Sequence, residues 1–317
     1  MSIDRVATAQ QSAFFLSQIN HAGAKLDVTN RQIASGVVAD SYAGFGDQTQ
    51  VLQATLSAQA RNNAYASATS LASTQVDLQD TQLTSLSDLA AQLKKAVSNA
   101  VANNDPTGLM SQVDNVFSQA VSILNSKDAN GDYIYAGGRT DTTPVSITSL
   151  SQLVAAPSTA SIFTNAAAKK AVQVADGQSI SFGVTASDVA TSLMQTLKDI
   201  ATFDAGGSGN FDSSTNLSGV QNNFLTGQIA AADTVASGLT NVTAQNGNVF
   251  NQLKSAVDQQ TSTDTLYKGF VDKLQNTNMA DAATQLSLNQ TALQAALQVT
   301  ATLNQLSLLN YLPISGR

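Results

Sequence analysis

The apolar side chains of this chain recur in steps of three and four residues, the spacing of helices that pack along one another. One run extends from Ala72 to Ala100, and the clearest one extends from Leu225 to Leu274. About 50 helical residues at ~1.5 Å each make a rod of roughly 75 Å. Shorter runs mark residues 1–40 and 278–317. The pattern predicts a mainly α protein, an elongated helical bundle or coiled coil formed by the N- and C-terminal regions together.

The helical pattern is interrupted in the middle of the chain. Asp105 and Pro106 predict a helix start, because Asp caps helix N-termini and Pro suits the first helical position. Asn130 and Gly131 predict a tight type I′ hairpin turn, in which both residues take positive φ. Between residues 140 and 183, prolines and short β-prone segments predict a small β-containing inserted domain.

These elements predict three regions. Residues 1–40 and 278–317 would form terminal assembly helices. Residues 41–139 and 184–277 would form a helical rod domain, and residues 140–183 a β-containing outer insertion.

The terminal helices have unusually few charges. Charged residues make up 12% of the chain, against roughly 25% in a typical soluble domain. From Ala282 to Gly316 there is no charged residue, and amides and hydroxyls take the face opposite the apolar stripe. A membrane helix would not carry so many amides, and a free surface helix would carry charged pairs. We predict that both faces are buried in an assembly whose interface includes Phe15, Ile19, Leu26, Ile33, Leu286, Leu293, Leu297, Leu303, Leu306, Leu309, Tyr311 and Leu312.

Composition argues against several other functions. A net charge of -7 and scattered basic residues oppose nucleic acid as a partner, and no window is apolar enough to span a membrane. There is no cysteine and a single histidine, His21, so metal sites and catalytic triads lack parts. Gly206 to Gly209 lacks the strand and the Lys of a phosphate loop, which favours a flexible surface loop. We predict no enzyme activity, no cofactor, no metal and no small-molecule substrate.

Several segments resemble a known family. Arg31–Gly36 and Ser41–Gly44 are similar to the N-terminal stretch of flagellins, in which a helix ends at a Ser-Gly pair. Asn130–Gly138 is similar to the G-x-Y-[IL]-F-A-G element of the proteins that join hook to filament. Asn278–Ala282 and Leu306–Leu312 resemble their C-terminal signature. The chain thus resembles the flagellin-like family, and within it the hook-associated proteins more than the filament flagellins, whose usual Arg-Ile-Asn stretch is missing.

The resemblance implies a function. The chain would be a structural subunit joining hook to filament, with copies of itself, flagellin and another hook-associated protein as partners. It would be secreted to the bacterial flagellum without a cleaved signal peptide, with the help of an export chaperone. A filament flagellin and a flagellin scaffold with a ligand-binding insertion remain alternatives. A cytosolic coiled-coil signalling protein is disfavoured, because such helices usually carry dense Glu and Lys faces.

Overall fold

The structure is a computed structural model that describes the backbone of residues 2–309 and the side chains of residues 10, 11 and 13–302. About three quarters of the chain (74%) is helical, which confirms the predicted mainly α class. The α-helices of the described residues are α1 (Ser2–Ser35), α2 (Thr49–Asn103), α3 (Leu109–Leu124), α4 (Leu150–Ala155), α5 (Ala186–Ala205), α6 (Gly219–Gln275) and α7 (Met279–Leu309). Shorter 3₁₀ helices cover Tyr42–Gln48, Thr159–Ile162 and Phe211–Ser213.

The long helix α2 follows from its sequence. No Gly or Pro interrupts residues 49–103, so nothing in the chain forces a break. Every position of the predicted seam from Ala72 to Ala100 is buried. On α6 the predicted positions from Leu225 to Val257 are buried or half-buried. The four-three spacing therefore identified the packed faces of both helices correctly.

The start of α3 differs from the prediction. The helix begins at Leu109, after Gly108 with φ +76°, and not at Pro106. Asp105 instead accepts a hydrogen bond from the backbone N–H of Thr107 at 2.9 Å. Hydrogen bonds from Thr107 lower the pKa of this carboxyl. The Asp105 side chain here stabilises a turn before the helix. Bonding to a backbone N–H in a turn competes with helix capping for Asp residues.

The chain folds as two compact units. One contains the residues up to 60 and those from 264 onward, and the other contains residues 61–263. The core of the second unit is built from α2, α3, α5 and α6, with Tyr135, Leu153 and Ile162 from the segments between them. The predicted division into terminal helices, rod and insertion stays a prediction.

The predicted β-containing segment is present in the second unit. Strands β1 (Lys170–Ala175) and β2 (Gln178–Phe182) form an antiparallel hairpin that turns at Gly177, where φ is +72°. We call these strands and their turn the hairpin.

The segment Gly206–Gly209 is an exposed turn up to Ser208 and becomes buried at Gly209, while its predicted flexibility stays a prediction. The buried amide of Gln221 donates to the Gly209 carbonyl at 2.6 Å. A Cβ at Gly209 would lie 2.1 Å from the Phe203 carbonyl oxygen, so only Gly fits this approach. The glycine-rich composition of this segment did not show that Gly209 lies close to the Phe203 carbonyl.

Candidate assembly surface on the terminal helices

Helices α1 and α7 of the first unit pack along each other in opposite directions, with many of their Cα atoms within 8 Å. Apart from Gly23 and Gln32 on α1, the described residues of the two helices that are buried or half-buried follow a four-three spacing. They are Phe15, Ile19, Ala22, Leu26, Thr29 and Ile33 on α1, and Ala282, Leu286, Asn289, Leu293, Ala296 and Thr300 on α7. Small residues at several of these positions allow the close approach of the two backbones.

A polar pair lies on this seam. Asn289 donates its side-chain amide to the Thr29 hydroxyl at 3.1 Å, and Thr29 is buried. Thr29 in turn donates to the Lys25 carbonyl at 2.9 Å. Buried polar groups cost free energy unless they are bonded, so this pair favours one alignment of the two helices.

The chain also pairs where α1 ends and α7 begins. The Val38 N–H donates to the Gln275 carbonyl at 2.7 Å, and the Thr277 N–H donates to the Gly36 carbonyl at 2.9 Å. These bonds flank Val37 and Asn276, which face each other as an antiparallel bridge. The helix ends are therefore joined by backbone as well as side-chain contacts.

A second apolar seam runs along the outside of α7. Leu288, Ala292, Ala295 and Val299 keep the same four-three spacing, yet all four are exposed, Leu288 by 58% and Val299 by 46%. The sequence predicts amides and hydroxyls on the face opposite the inner seam, and these four residues lie beside that face. The spacing of these four residues was the signal that could have revealed the seam.

The first helix carries exposed apolar residues as well. Phe14 is 59% exposed and Val28 is 43% exposed, with the exposed His21 seven residues from each. A seven-residue spacing places all three on one side of the helix. Large apolar side chains in such stripes are typical of surfaces that other protein covers.

The predicted interface residues occupy different environments. Six of them lie half-buried on the seam between the two helices: Phe15, Ile19, Leu26, Ile33, Leu286 and Leu293. Leu297 is off this seam and 50% exposed. The side chains of Leu303, Leu306 and Leu309 lie outside the described residues, as do Tyr311 and Leu312 altogether. The role of all twelve in assembly stays a prediction.

The predicted turn at Asn130 and Gly131 exists in a different form. The chain reverses there, with Lys127 and Tyr133 paired as an antiparallel bridge. Gly131 has φ +85°, but Asn130 is not in the positive-φ region, so the turn is not type I′. The Asp128 carboxylate decides the geometry, because one of its oxygens accepts the Asn130 N–H at 2.9 Å.

The segment after this turn is fixed by a buried amide of α2. Gln79 is 2% exposed, and its side-chain nitrogen donates to the carbonyls of Ile134 and Val184, each at 3.2 Å. Its side-chain oxygen accepts the Val184 N–H, also at 3.2 Å. One side chain thereby joins α2 to the segment 133–138 and to Val184, which follows the hairpin.

Two further residues of that segment have marked environments. Tyr135 is fully buried, burial raises the pKa of its hydroxyl, and this hydroxyl has no hydrogen-bond partner within the described part of the chain. Gly137 has φ +65°, and a Cβ there would lie 2.7 Å from the Ala168 carbonyl oxygen. The segment is thus held by packing and backbone contacts, with no arrangement typical of catalysis.

None of the helices formed by the described residues is long and apolar enough to cross a bilayer. Within the same residues, three or more His, Cys, Asp or Glu side chains nowhere gather in a way that could hold a metal ion.

Part of the chain is similar to a known protein family. Residues 229–312 match a family model described as the bacterial flagellin C-terminal helical region. Over these residues the chain is similar to the C-terminal helical region of flagellins. Flagellar hook-associated protein 3 of Escherichia coli K12 is 29% identical over 93 residues, which are 28% of this chain and 29% of that protein. The match thus spans less than a third of that curated relative.

Two solved structures share the fold of most of this chain. One is described as a flagellar hook-associated protein from Vibrio parahaemolyticus; it has a TM-score of 0.59 and 16% identity, covering 72% of this chain and 97% of that one. The other is FlgL of Bacillus cereus, with a TM-score of 0.50 and 12% identity, covering 69% of this chain and 98% of that one. The predicted resemblance to flagellin-like proteins is confirmed. The chain is thus similar to flagellins and hook-associated proteins in parts of its sequence, and to hook-associated proteins in its fold.

Proposed function

We propose that this protein is a non-enzymatic structural subunit of the bacterial flagellum that joins hook to filament and assembles through α1 and α7. The observation that carries the proposal is the uncharged, exposed seam of Leu288, Ala292, Ala295 and Val299 on a helix of the flagellin region. A helix that already packs on α1 and still exposes a second seam has a surface for a further helix.

The partners follow from this role. Copies of the same chain, flagellin and another hook-associated protein would cover the exposed seams. An export chaperone would bind the chain before assembly, and export would proceed without a cleaved signal peptide. The names of the relatives favour the hook-associated role over that of a filament flagellin, because both the curated relative and one solved structure are described as hook-associated.

A deletion strain tests the role. Without the gene, hooks should persist while filaments detach into the medium, and the intact gene should restore attached filaments. Loss of filament protein with intact junctions would favour the filament flagellin alternative. Normal motility and attached filaments would contradict both roles.

Complementation with variants tests the surface. Leu288→Lys combined with Val299→Lys should leave the purified chain helical, because both side chains are exposed in the single chain. The same variant should fail to restore filaments, since it buries two charges in the assembly. Val220→Lys is the matched control, an equally exposed apolar residue of the second unit. Restoration of filaments by the double variant would contradict assembly through this seam.

A further inference from the structure

The side chains that α2 and α6 bury change in type along the two helices. Between Leu83 and Ala100, α2 buries mostly leucine, alanine and valine. Between residues 65 and 76, it buries only Thr69, Ala72 and Val76. The facing part of α6 buries Asn246, Leu253 and Gln260. In this stretch α2 therefore buries no leucine, and the apolar contribution of the helices comes from α6, whose Leu253 is buried with Val249 and Phe250 packed beside it.

The hairpin supplies apolar side chains to this stretch. Val172 and Phe182 are buried in one cluster with Ala72, Val76 and Leu253. The cluster thus joins α2, α6 and both strands of the hairpin. A two-stranded hairpin is only marginally stable alone in water, so the hairpin depends on this packing against the helices.

Polar side chains from both helices hold the hairpin backbone and its tip. Gln260 of α6 donates to the Val174 carbonyl at 2.8 Å and to the Thr69 hydroxyl at 3.1 Å. Tyr65 of α2 donates its hydroxyl to the Asp176 carboxylate at 2.7 Å, and this bond raises the pKa of Tyr65. The hairpin is thereby bonded to α2 at its tip and to α6 along its first strand.

We propose that the hairpin is a clasp that keeps α2 and α6 together over residues 65–76 and 246–260, with Tyr65 and Gln260 as its positioning residues. The apolar surface that Val172 and Phe182 add takes the place of the large side chains that α2 lacks there. This inference concerns the second unit alone and does not depend on the proposed flagellar role.

Hydrogen exchange measured on the full chain by mass spectrometry tests the clasp. Phe182→Ala should raise exchange at least about tenfold in residues 65–76 and 246–260, because large-to-small changes in a cluster strongly favour local opening. Tyr65→Phe, which removes only the hydroxyl bonded to Asp176, should raise exchange in the same residues to a smaller extent. Residues 83–100 should keep their protection in both variants.

The matched control is Phe211→Ala, which removes an equally large buried side chain from the main core. It should increase exchange around residue 211 and leave residues 65–76 unchanged. If Phe182→Ala and Tyr65→Phe increase exchange only within residues 168–184, the hairpin merely rests on the helices and the proposal is overturned. Tyr65→Phe keeps the test decisive should the alanine variant fail to fold.

Discussion

Replacing Gln79 with leucine removes the side chain that joins α2 to two distant segments. Three buried backbone groups then lose their partner: the carbonyls of Ile134 and Val184, and the N–H of Val184. Each buried group left without a bond costs about 1–3 kcal/mol. The added apolar surface of leucine offsets about 1 kcal/mol, and local shifts relieve part of the rest. We expect the free energy of unfolding of the second unit to fall by about 3–5 kcal/mol.

Urea denaturation followed by circular dichroism measures this loss, since the second unit contains most of the packed helices. Gln82→Leu is the matched control, because Gln82 lies one turn further along α2 and is half-buried. Its side-chain nitrogen makes one bond, to the Ser126 hydroxyl at 2.9 Å, and its side-chain oxygen has no partner within the described residues. The control should cost less than about 1 kcal/mol. If the two variants lose equal stability, the reasoning from bonded backbone groups is refuted.

Three other substitutions test contacts named above. Tyr135→Phe removes a buried hydroxyl that has no partner among the described residues, so the free energy of unfolding should rise by about 1 kcal/mol; a decrease would indicate a hidden bond. Gly137→Ala should cost about 2–4 kcal/mol, measured by urea denaturation, because a Cβ meets the Ala168 carbonyl at positive φ; an unchanged midpoint would contradict this. Val37→Cys with Asn276→Cys should form a disulfide on oxidation, because Cα atoms of such facing pairs lie about 4.5 Å apart; since the chain has no other cysteine, thiols that stay free would contradict the bridge.

Local sequence rules located the elements that depend only on neighbouring residues. The absence of Gly and Pro from residues 49–103 allowed one long helix, and the four-three spacing from Ala72 to Ala100 identified its buried face. Residues three and four apart lie on the same face of a helix. The spacing of apolar residues in the sequence therefore shows which face of the helix is apolar. The missing charges from Ala282 onward likewise predicted an unusual surface.

Competition between nearby groups decided the turns, and sequence rules failed there. Asp105 and Asp128 both bond to backbone N–H groups of their own loops, which moved the start of α3 and changed the turn at Asn130. Gly209 lies against the Phe203 carbonyl, a contact that composition cannot show.

Contacts between distant segments were decided by the tertiary structure alone. Gln79 lies on the α2 seam like any heptad position, and only the fold brings Ile134 and Val184 within reach of its amide. That the outer seam at Leu288 stays uncovered follows only from the packing of α1 on the inner seam. The periodicity of this chain therefore determined which helices form and which faces are apolar. The packing determined which of those faces stay uncovered, because that depends on the contacts one chain can satisfy by itself.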